Sequence, residues 1–155
     1  MLTPNDIGDV LEELIRKRFP GETVYREFCP DIFERPSTFL ELESCGADVA
    51  FNTGAVALRP VFAATTFTEV DEYYHSHLKE LSARQFALLG LVLPGFLKVG
   101  DRAPAVERTA LENGYDYATV RIRFRYTLDR AEFMELEQLP LMQDLRLREE
   151  ITENV

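Results

Sequence analysis

The sequence has few of the residues from which disulfide scaffolds and zinc sites are built. Its 155 residues include two cysteines, Cys29 and Cys45, and two histidines. Two cysteines in a chain of this length do not make a disulfide framework, so we expect both thiols to be reduced and to have a structural or idle role. Two histidines are too few for a zinc cluster. The sequence therefore predicts no metal and no other cofactor.

Long apolar runs and a basic excess are also missing. No stretch approaches the roughly 20 apolar residues that span a bilayer, and the first residues lack the pattern of a signal peptide. We therefore expect a protein that is made and kept in a cytoplasm, without a membrane partner. The chain has 17 Lys and Arg against 27 Asp and Glu, a formal net charge of −10. This balance argues against a protein that grips the phosphate backbone of DNA, which requires clustered Lys and Arg.

Catalytic signatures are missing as well. The sequence contains no nucleophile elbow, no P-loop and no Gly-rich dinucleotide loop. Asp71, Glu72 and His75 have the spacing of one helix face, but a di-metal site needs such a motif from two helices and further carboxylates. Polar residues that face water at a helix start explain this cluster better. We therefore expect the protein not to be an enzyme.

The sequence does contain a strand, residues 115–128, in which apolar and basic side chains alternate. Successive side chains of a strand point to opposite faces of its sheet. The even-numbered residues are almost all apolar: Ala118, Val120, Ile122, Phe124, Tyr126 and Leu128. The odd-numbered residues include Arg121, Arg123 and Arg125. Asn113-Gly114 directly before the strand predicts a hairpin. One face of this strand should enter the core, and the other should present a basic stripe on an acidic protein.

Two interpretations of Arg121, Arg123 and Arg125 stay open. In the first, the arginines keep an outer sheet face soluble by facing acidic residues on neighbouring strands. The acidic candidates are Glu41, Glu43 and Glu107. In the second, the arginines meet acidic groups of a neighbouring subunit, because Arg forms bidentate pairs with carboxylates. Such pairing also selects partner and register.

Helix and strand signals fill the rest of the chain. Thr3 and Asp6 form a capping pattern at the start of an amphipathic helix that a Pro-Gly pair ends. A second capping pattern begins at Thr68, and apolar residues continue at helical spacing to about Leu89. Pro60 cannot donate a hydrogen bond in a ladder, so it marks an edge strand or a bulge. The other predicted elements are strands at 23–28, 37–43, 55–68, 96–99 and 104–112, and a loop at 44–54.

This order of helices and antiparallel strands predicts an α+β fold. We expect a single domain, residues 1–155, with two main helices packed on a mixed, mainly antiparallel sheet of about five or six strands. A C-terminal segment, residues 134–155, follows. It is partly apolar, with Leu141, Met142 and Leu145 among its residues. It is either a small docked helix or an arm that reaches a partner.

Five stretches spread over most of the chain form one layout. The first two are the helix at 7–19 and a Val-Tyr strand at 24–25 that follows a Phe-Pro-Gly turn. The third is an acidic-to-proline stretch at 31–36 that runs into Ser-Thr-Phe-Leu-Glu-Leu. The last two are Leu-Arg-Pro-Val-Phe at 58–62 and, after the arginine strand, Leu-Met-Gln-Asp-Leu at 141–145. This layout resembles the tail terminator proteins, also called tail completion proteins, of long-tailed phages and prophages. The arginine-rich strand matches no feature of that family.

The resemblance implies a structural protein of the virion tail that is assembled in the host cytoplasm. Such a protein would form a ring, usually of six subunits, that caps the head-proximal end of the tail tube and joins it to the head connector. DNA would pass through the ring without specific binding, and no catalytic residues are implied. The candidate subunit-interface residues are Arg121, Arg123, Arg125, Leu141, Met142 and Leu145. The alternatives are another head–tail connector or tail component of a phage, or a soluble binding module unrelated to phages.

Overall fold

The computed structural model describes residues 1–73 and 75–133. The helices are α1 (Pro4–Arg18), α2 (Leu78–Gly90) and α3 (Arg130–Phe133), and the strands are β1 (Thr23–Arg26), β2 (Ser37–Asp48), β3 (Ala55–Phe67), β4 (Ala105–Asn113) and β5 (Ala118–Asp129). The strands form one sheet in the order β1-β2-β3-β5-β4. β1 and β2 are parallel, and the other neighbours are antiparallel. The predicted α+β class is confirmed. None of the described helices has the length and apolarity needed to cross a membrane.

Helix α1 begins as the capping pattern predicts. The backbone N–H of Thr3 donates to the Asp6 carboxylate at 2.7 Å, and the Asp6 N–H donates back to the Thr3 hydroxyl at 3.4 Å. The apolar stripe of the helix is buried, and Ile7 is 0% exposed. Gly8 lies on the same side, where an added Cβ would collide with the guanidinium of Arg26. The absence of a side chain at Gly8 therefore leaves room for the Arg26 guanidinium beneath the helix.

The core lies on one face of the sheet, beneath α1 and α2. It joins apolar residues of both helices to the even-numbered residues of β5. Those even-numbered residues are each at most 8% exposed, which confirms the predicted burial of this face. Phe62 of β3 and Phe124 of β5 meet edge to face, with ring centroids 6.1 Å apart. Helix α1 contacts β1 and β2, whereas α2 contacts β3 and β5. The two helices therefore lie side by side on the same face.

Strand β2 is longer than predicted, because residues 44–48 pair with β3 instead of forming a loop. The small and polar residues there favoured a loop. Pairing with the central strand β3 gives their backbone N–H and C=O groups hydrogen-bond partners, which small and polar residues need as much as apolar ones do. The register of β2 shifts between Leu42 and Ser44, which marks a bulge. Pro60 lies opposite Cys45, next to this bulge. Of the two predictions for Pro60, the bulge is confirmed and the edge strand is wrong, since β3 is central.

Helix α2 begins at Leu78, ten residues after the predicted start at Thr68. Between these two positions, Asp71 stabilises a loop. Its carboxylate accepts hydrogen bonds from the N–H groups of Tyr73 and His75 at 2.8 and 2.9 Å. Asp side chains often compete with helix formation in this way by bonding nearby backbone groups. The predicted helical placement of the polar cluster at 71–77 is therefore wrong.

The β4–β5 hairpin is confirmed, but β5 begins at Ala118 and the connecting loop covers residues 114–117. The ring of Tyr117 lies against Gly114, where any Cβ would collide with it. The predicted strand at 96–99 is wrong: this segment makes isolated bridges from Phe96 to Ala105 and from Val99 to Arg102. The predicted C-terminal segment, residues 134–155, lies outside the described residues.

Candidate interaction surface

The sheet face opposite the core carries the predicted arginines. We call it the outer face and define it by the odd-numbered residues of β5 and their neighbours in the register. Arg121 lies between Ala63 of β3 and Ala110 of β4, and Arg123 lies between Val61 and Arg108. None of these six residues belongs to the core cluster, and both main helices pack on the other face. The outer face thus has no helical layer among the described elements.

Arg121 is held by two carboxylates of its own chain. Its Nε donates to both Oε atoms of Glu43 at 3.1 Å, and its Nη1 donates to Glu112. These hydrogen bonds, the one to Glu112 most of all, raise the pKa of the Arg121 guanidinium. Arg121 therefore ties β5 to β2 and β4 across the outer face. Glu43, one of the predicted acidic candidates, is its partner.

Arg123 and Arg125 have a different environment. Both are exposed, and within residues 1–73 and 75–133 neither forms an ion pair. Arg123 lies directly opposite Arg108 of β4, and like charges in this position repel each other. The Arg125 guanidinium lies 5.6 Å from the centroid of the Phe51 ring. We call Arg108, Arg123 and Arg125 the basic patch.

Carboxylates lie beside the basic patch. Glu41 of β2 shares a row of the register with Ala63 and Arg121. Partial burial raises the pKa of the Glu41 carboxyl, and the neighbouring Glu43 and Glu27 raise it further. Glu107, another predicted candidate, pairs with Arg59 at 3.6 Å and not with the β5 arginines. The outer face therefore has an acidic side on β2 and a basic side on β4 and β5.

Sequence reasoning missed Arg108, although it is central to the basic patch. The register of β4 shifts between Val106 and Arg108, so a bulge at Glu107 changes which residues share a face. Simple alternation from the start of the strand therefore gives the wrong faces beyond this bulge. Counting back from the hairpin turn at Asn113 would have placed Arg108 correctly, because Glu112, Ala110 and Arg108 alternate without interruption.

An apolar groove lies at one end of the core face. It has a volume of about 290 Å³ and is lined by Ala47, Val49, Val56, Leu58, Arg130 and Phe133. Val49 and Phe133 are 61% and 50% exposed. Phe133 is the last residue before the C-terminal segment, so the groove lies where that segment leaves the described chain. Its interface candidates, Leu141, Met142 and Leu145, are outside the described residues.

Another depression, about 420 Å³, lies between the N-terminus and residues 99–102. Its polar lining includes Asp6, which is engaged in the α1 cap, and Arg102, which pairs with Glu132 at 2.6 Å. No group of three His, Cys, Asp or Glu side chains in the described ranges could hold a metal ion. Cys29 and Cys45 are both free thiols. This depression therefore suggests no reaction chemistry.

Comparisons with known proteins add no family to this description. No protein-family model matches the chain, and no curated protein matches its sequence. What the protein does must therefore be inferred from its own residues and surfaces. Of these surfaces, the outer face has the most distinctive charge pattern.

Proposed function

We propose that this protein is a structural virion component that caps the head-proximal end of a phage tail tube as a ring and joins it to the head connector. The observation that carries the proposal is the outer face: a sheet face that no described helix covers, with a basic patch on a chain of net charge −10. The core cluster lies on the opposite face, so within the described chain Arg123 and Arg125 are available for contacts between subunits. The layout that resembles tail terminator proteins supplies the biological setting.

The ring contact would join two different surfaces of neighbouring subunits. A cyclic assembly uses a heterologous contact that closes on itself. Arg123 and Arg125 are suited to one side of that contact, because Arg binds carboxylates in a bidentate geometry. A second copy of so acidic a chain offers many carboxylates for the other side. Arg121 would support the contact indirectly, since Glu43 and Glu112 already hold it.

The cap would act by binding alone. A tube of stacked rings has no intrinsic end, because each ring exposes the surface on which the next ring docks. A terminator needs one side that matches the tube and another that does not, so that polymerisation stops. Leu141, Met142 and Leu145 would give the ring an apolar contact with a neighbour or with the tube. The negative charge of the chain would let DNA pass through the ring, since it repels phosphates.

Deletion of the gene from its phage tests the proposal. We expect DNA-filled heads without tails, together with overlong or frayed tubes, and purified protein should restore joining when it is added to these tubes. Complementation with Arg123→Glu should fail or be weak. The matched control is Lys98→Glu, which makes the same charge change at an exposed site away from the outer face. Normal tails on normal heads after the deletion would refute the assignment.

Light scattering tests the ring separately. The purified chain should be a ring, or should become one in the presence of tube protein, and the Arg123→Glu variant should assemble less well. A protein that stays a dimer or a monomer both with and without tube protein would contradict the ring, whatever the deletion shows.

A further inference from the structure

The outermost strand of the sheet, β4, is almost wholly exposed. It is nine residues long, it ends the strand order, and β5 is the one strand of the described chain that forms a ladder with it. On its core side Val106 packs against the core cluster, but Leu111 is 42% exposed. A long edge strand with unpaired N–H and C=O groups is a template for pairing with another strand.

The start of β4 is protected, but the rest is not. The Val106 N–H donates to the Gly95 carbonyl at 2.8 Å, and Ala105 forms a bridge with Phe96. Beyond the bulge at Glu107, the described chain places no further strand beside residues 108–113, although the Gln85 side-chain amide donates to the Glu112 carbonyl at 3.1 Å. These residues include neither Pro nor Lys, which proteins commonly place on edges to prevent pairing.

The exposed part of β4 is complementary to itself in antiparallel orientation. Residues that lie opposite each other must point to the same face of the sheet. A two-fold axis between two copies of β4 therefore has to lie midway between the two copies of one residue. With the axis at Ala110, Arg108 of one copy lies opposite Glu112 of the other, and Thr109 lies opposite Leu111. Axes at Thr109 or Leu111 place Arg108 opposite an alanine or a glycine. The Ala110 register is therefore the one that pairs opposite charges.

This register would also relieve a strain in the single chain. Arg108 lies opposite Arg123 on β5, which is an unfavourable pair of like charges. A carboxylate on the other side of Arg108 would offset that repulsion. Glu112 already accepts a hydrogen bond from Arg121, so Arg108 of the other copy would place this carboxylate between two arginines, one from each copy.

We propose that two copies of this chain associate edge to edge through residues 108–112 of β4, with the two-fold axis at Ala110. The pair would join both five-stranded sheets into one continuous sheet. This contact differs from the proposed ring contact, because an isologous contact uses the same surface on both subunits and is complete with two copies, whereas the ring contact joins two different surfaces and closes only after several copies. It uses the backbone edge of β4 together with Arg108 and Glu112, and not Arg123 or Arg125, and it describes the protein outside the ring. Failure of either proposal leaves the other standing.

A symmetric disulfide tests the register. In a Cys29→Ser/Cys45→Ser background, Ala110→Cys places two thiols opposite each other across the axis, where Cβ atoms lie about 4.5–5.5 Å apart, close to disulfide geometry. Ala105→Cys is the matched control in the same strand, because its two copies would be roughly 34 Å apart. Under mild oxidation of the full chain, Ala110→Cys should give a covalent dimer on a non-reducing gel. Equal crosslinking of both variants, or of neither, would overturn the proposal.

A charge swap tests the pairing of Arg108 with Glu112. Arg108→Glu and Glu112→Arg each replace two attractions in the dimer with two repulsions, and each should raise the dimer dissociation constant about tenfold. The double variant should return it to near the original value, as measured by sedimentation equilibrium. No recovery in a double variant that melts normally would contradict the register. Amide exchange protection of residues 108–112 that does not depend on protein concentration would also contradict the dimer, because a segment of the same chain would then cover the edge.

Discussion

Removal of the Arg84 side chain should destabilise the fold more than removal of any exposed cation. Arg84 lies on α2 and is 7% exposed. Its Nη1 and Nη2 donate to the two carboxylate oxygens of Glu22 at 2.9 and 2.6 Å, and its Nε donates to the Thr66 hydroxyl at 2.7 Å. The guanidinium also lies 4.2 Å from the centroid of the Phe19 ring. One side chain thus connects α2 to β3 and to the segment between α1 and β1.

The magnitude follows from these contacts. Arg84→Ala removes a bidentate pair worth about 2 kcal/mol after allowance for the 20% exposure of the Glu22 side chain. It leaves the buried Thr66 hydroxyl without its partner, which costs about 1 kcal/mol, and removes a cation–π contact of about 0.5 kcal/mol. We expect the free energy of unfolding to fall by about 3.5 kcal/mol. For a chain of this size the melting temperature would then fall by about 10 °C.

Urea unfolding followed by circular dichroism is the appropriate assay, with the midpoint and slope fitted together. Lys17→Ala is the control, because it removes a cation whose partner Glu13 is also on the surface of α1. The control should leave the midpoint nearly unchanged. A double-mutant cycle with Glu22→Gln should show strong coupling with Arg84→Ala. A loss below about 1 kcal/mol for Arg84→Ala would refute the assigned role of the buried pair.

Three further predictions concern the outer face, the α1 cap and the thiols. Arg121→Glu should lower the melting temperature more than Arg123→Glu does, whereas Arg123→Glu should weaken assembly more than Arg121→Glu does. Equal effects of the two variants in both assays would contradict the separate roles assigned to Arg121 and Arg123. The Asp6 pKa lies below its ordinary 3.8 because the Thr3 N–H donates a hydrogen bond to the carboxylate. The contribution of Asp6 to the stability of the fold is therefore present above pH 3.8 and is lost as the pH falls through the lowered pKa. The difference in stability between the original protein and Asp6→Asn should shrink below pH 3.8. Cys45 should react with a thiol reagent without denaturant and faster than Cys29, and because burial raises both pKa values, both rates should still rise above pH 9.

The predictions from sequence that held depend on short-range patterns. The capping box of Thr3 and Asp6 determines where α1 begins, because both partners are three residues apart. The alternation along β5 determines which side chains enter the core, because period-two burial needs no knowledge of the neighbouring strands. The candidate site was predicted in part: Arg121, Arg123 and Arg125 do share one sheet face, but their roles on it were not predictable.

Those roles depend on partners that are distant in the sequence. Arg121 and Glu43 are 78 residues apart, and β2 and β5 must both pair with β3 before the two side chains meet. Arg108 joins the outer face because of a bulge at Glu107, which depends on how β4 pairs with β5. The loop closed by Asp71 replaced a predicted helical turn because one carboxylate bonded two backbone N–H groups.

By itself, the sequence determined the first helix, the buried face of β5 and the α+β class, because each follows from periodicity and local hydrogen bonding along the chain. The tertiary structure alone decided that Arg121 is neutralised within the chain while Arg123 faces Arg108. Charges on a sheet are paired by the register between strands, and a register with bulges cannot be read from any single strand.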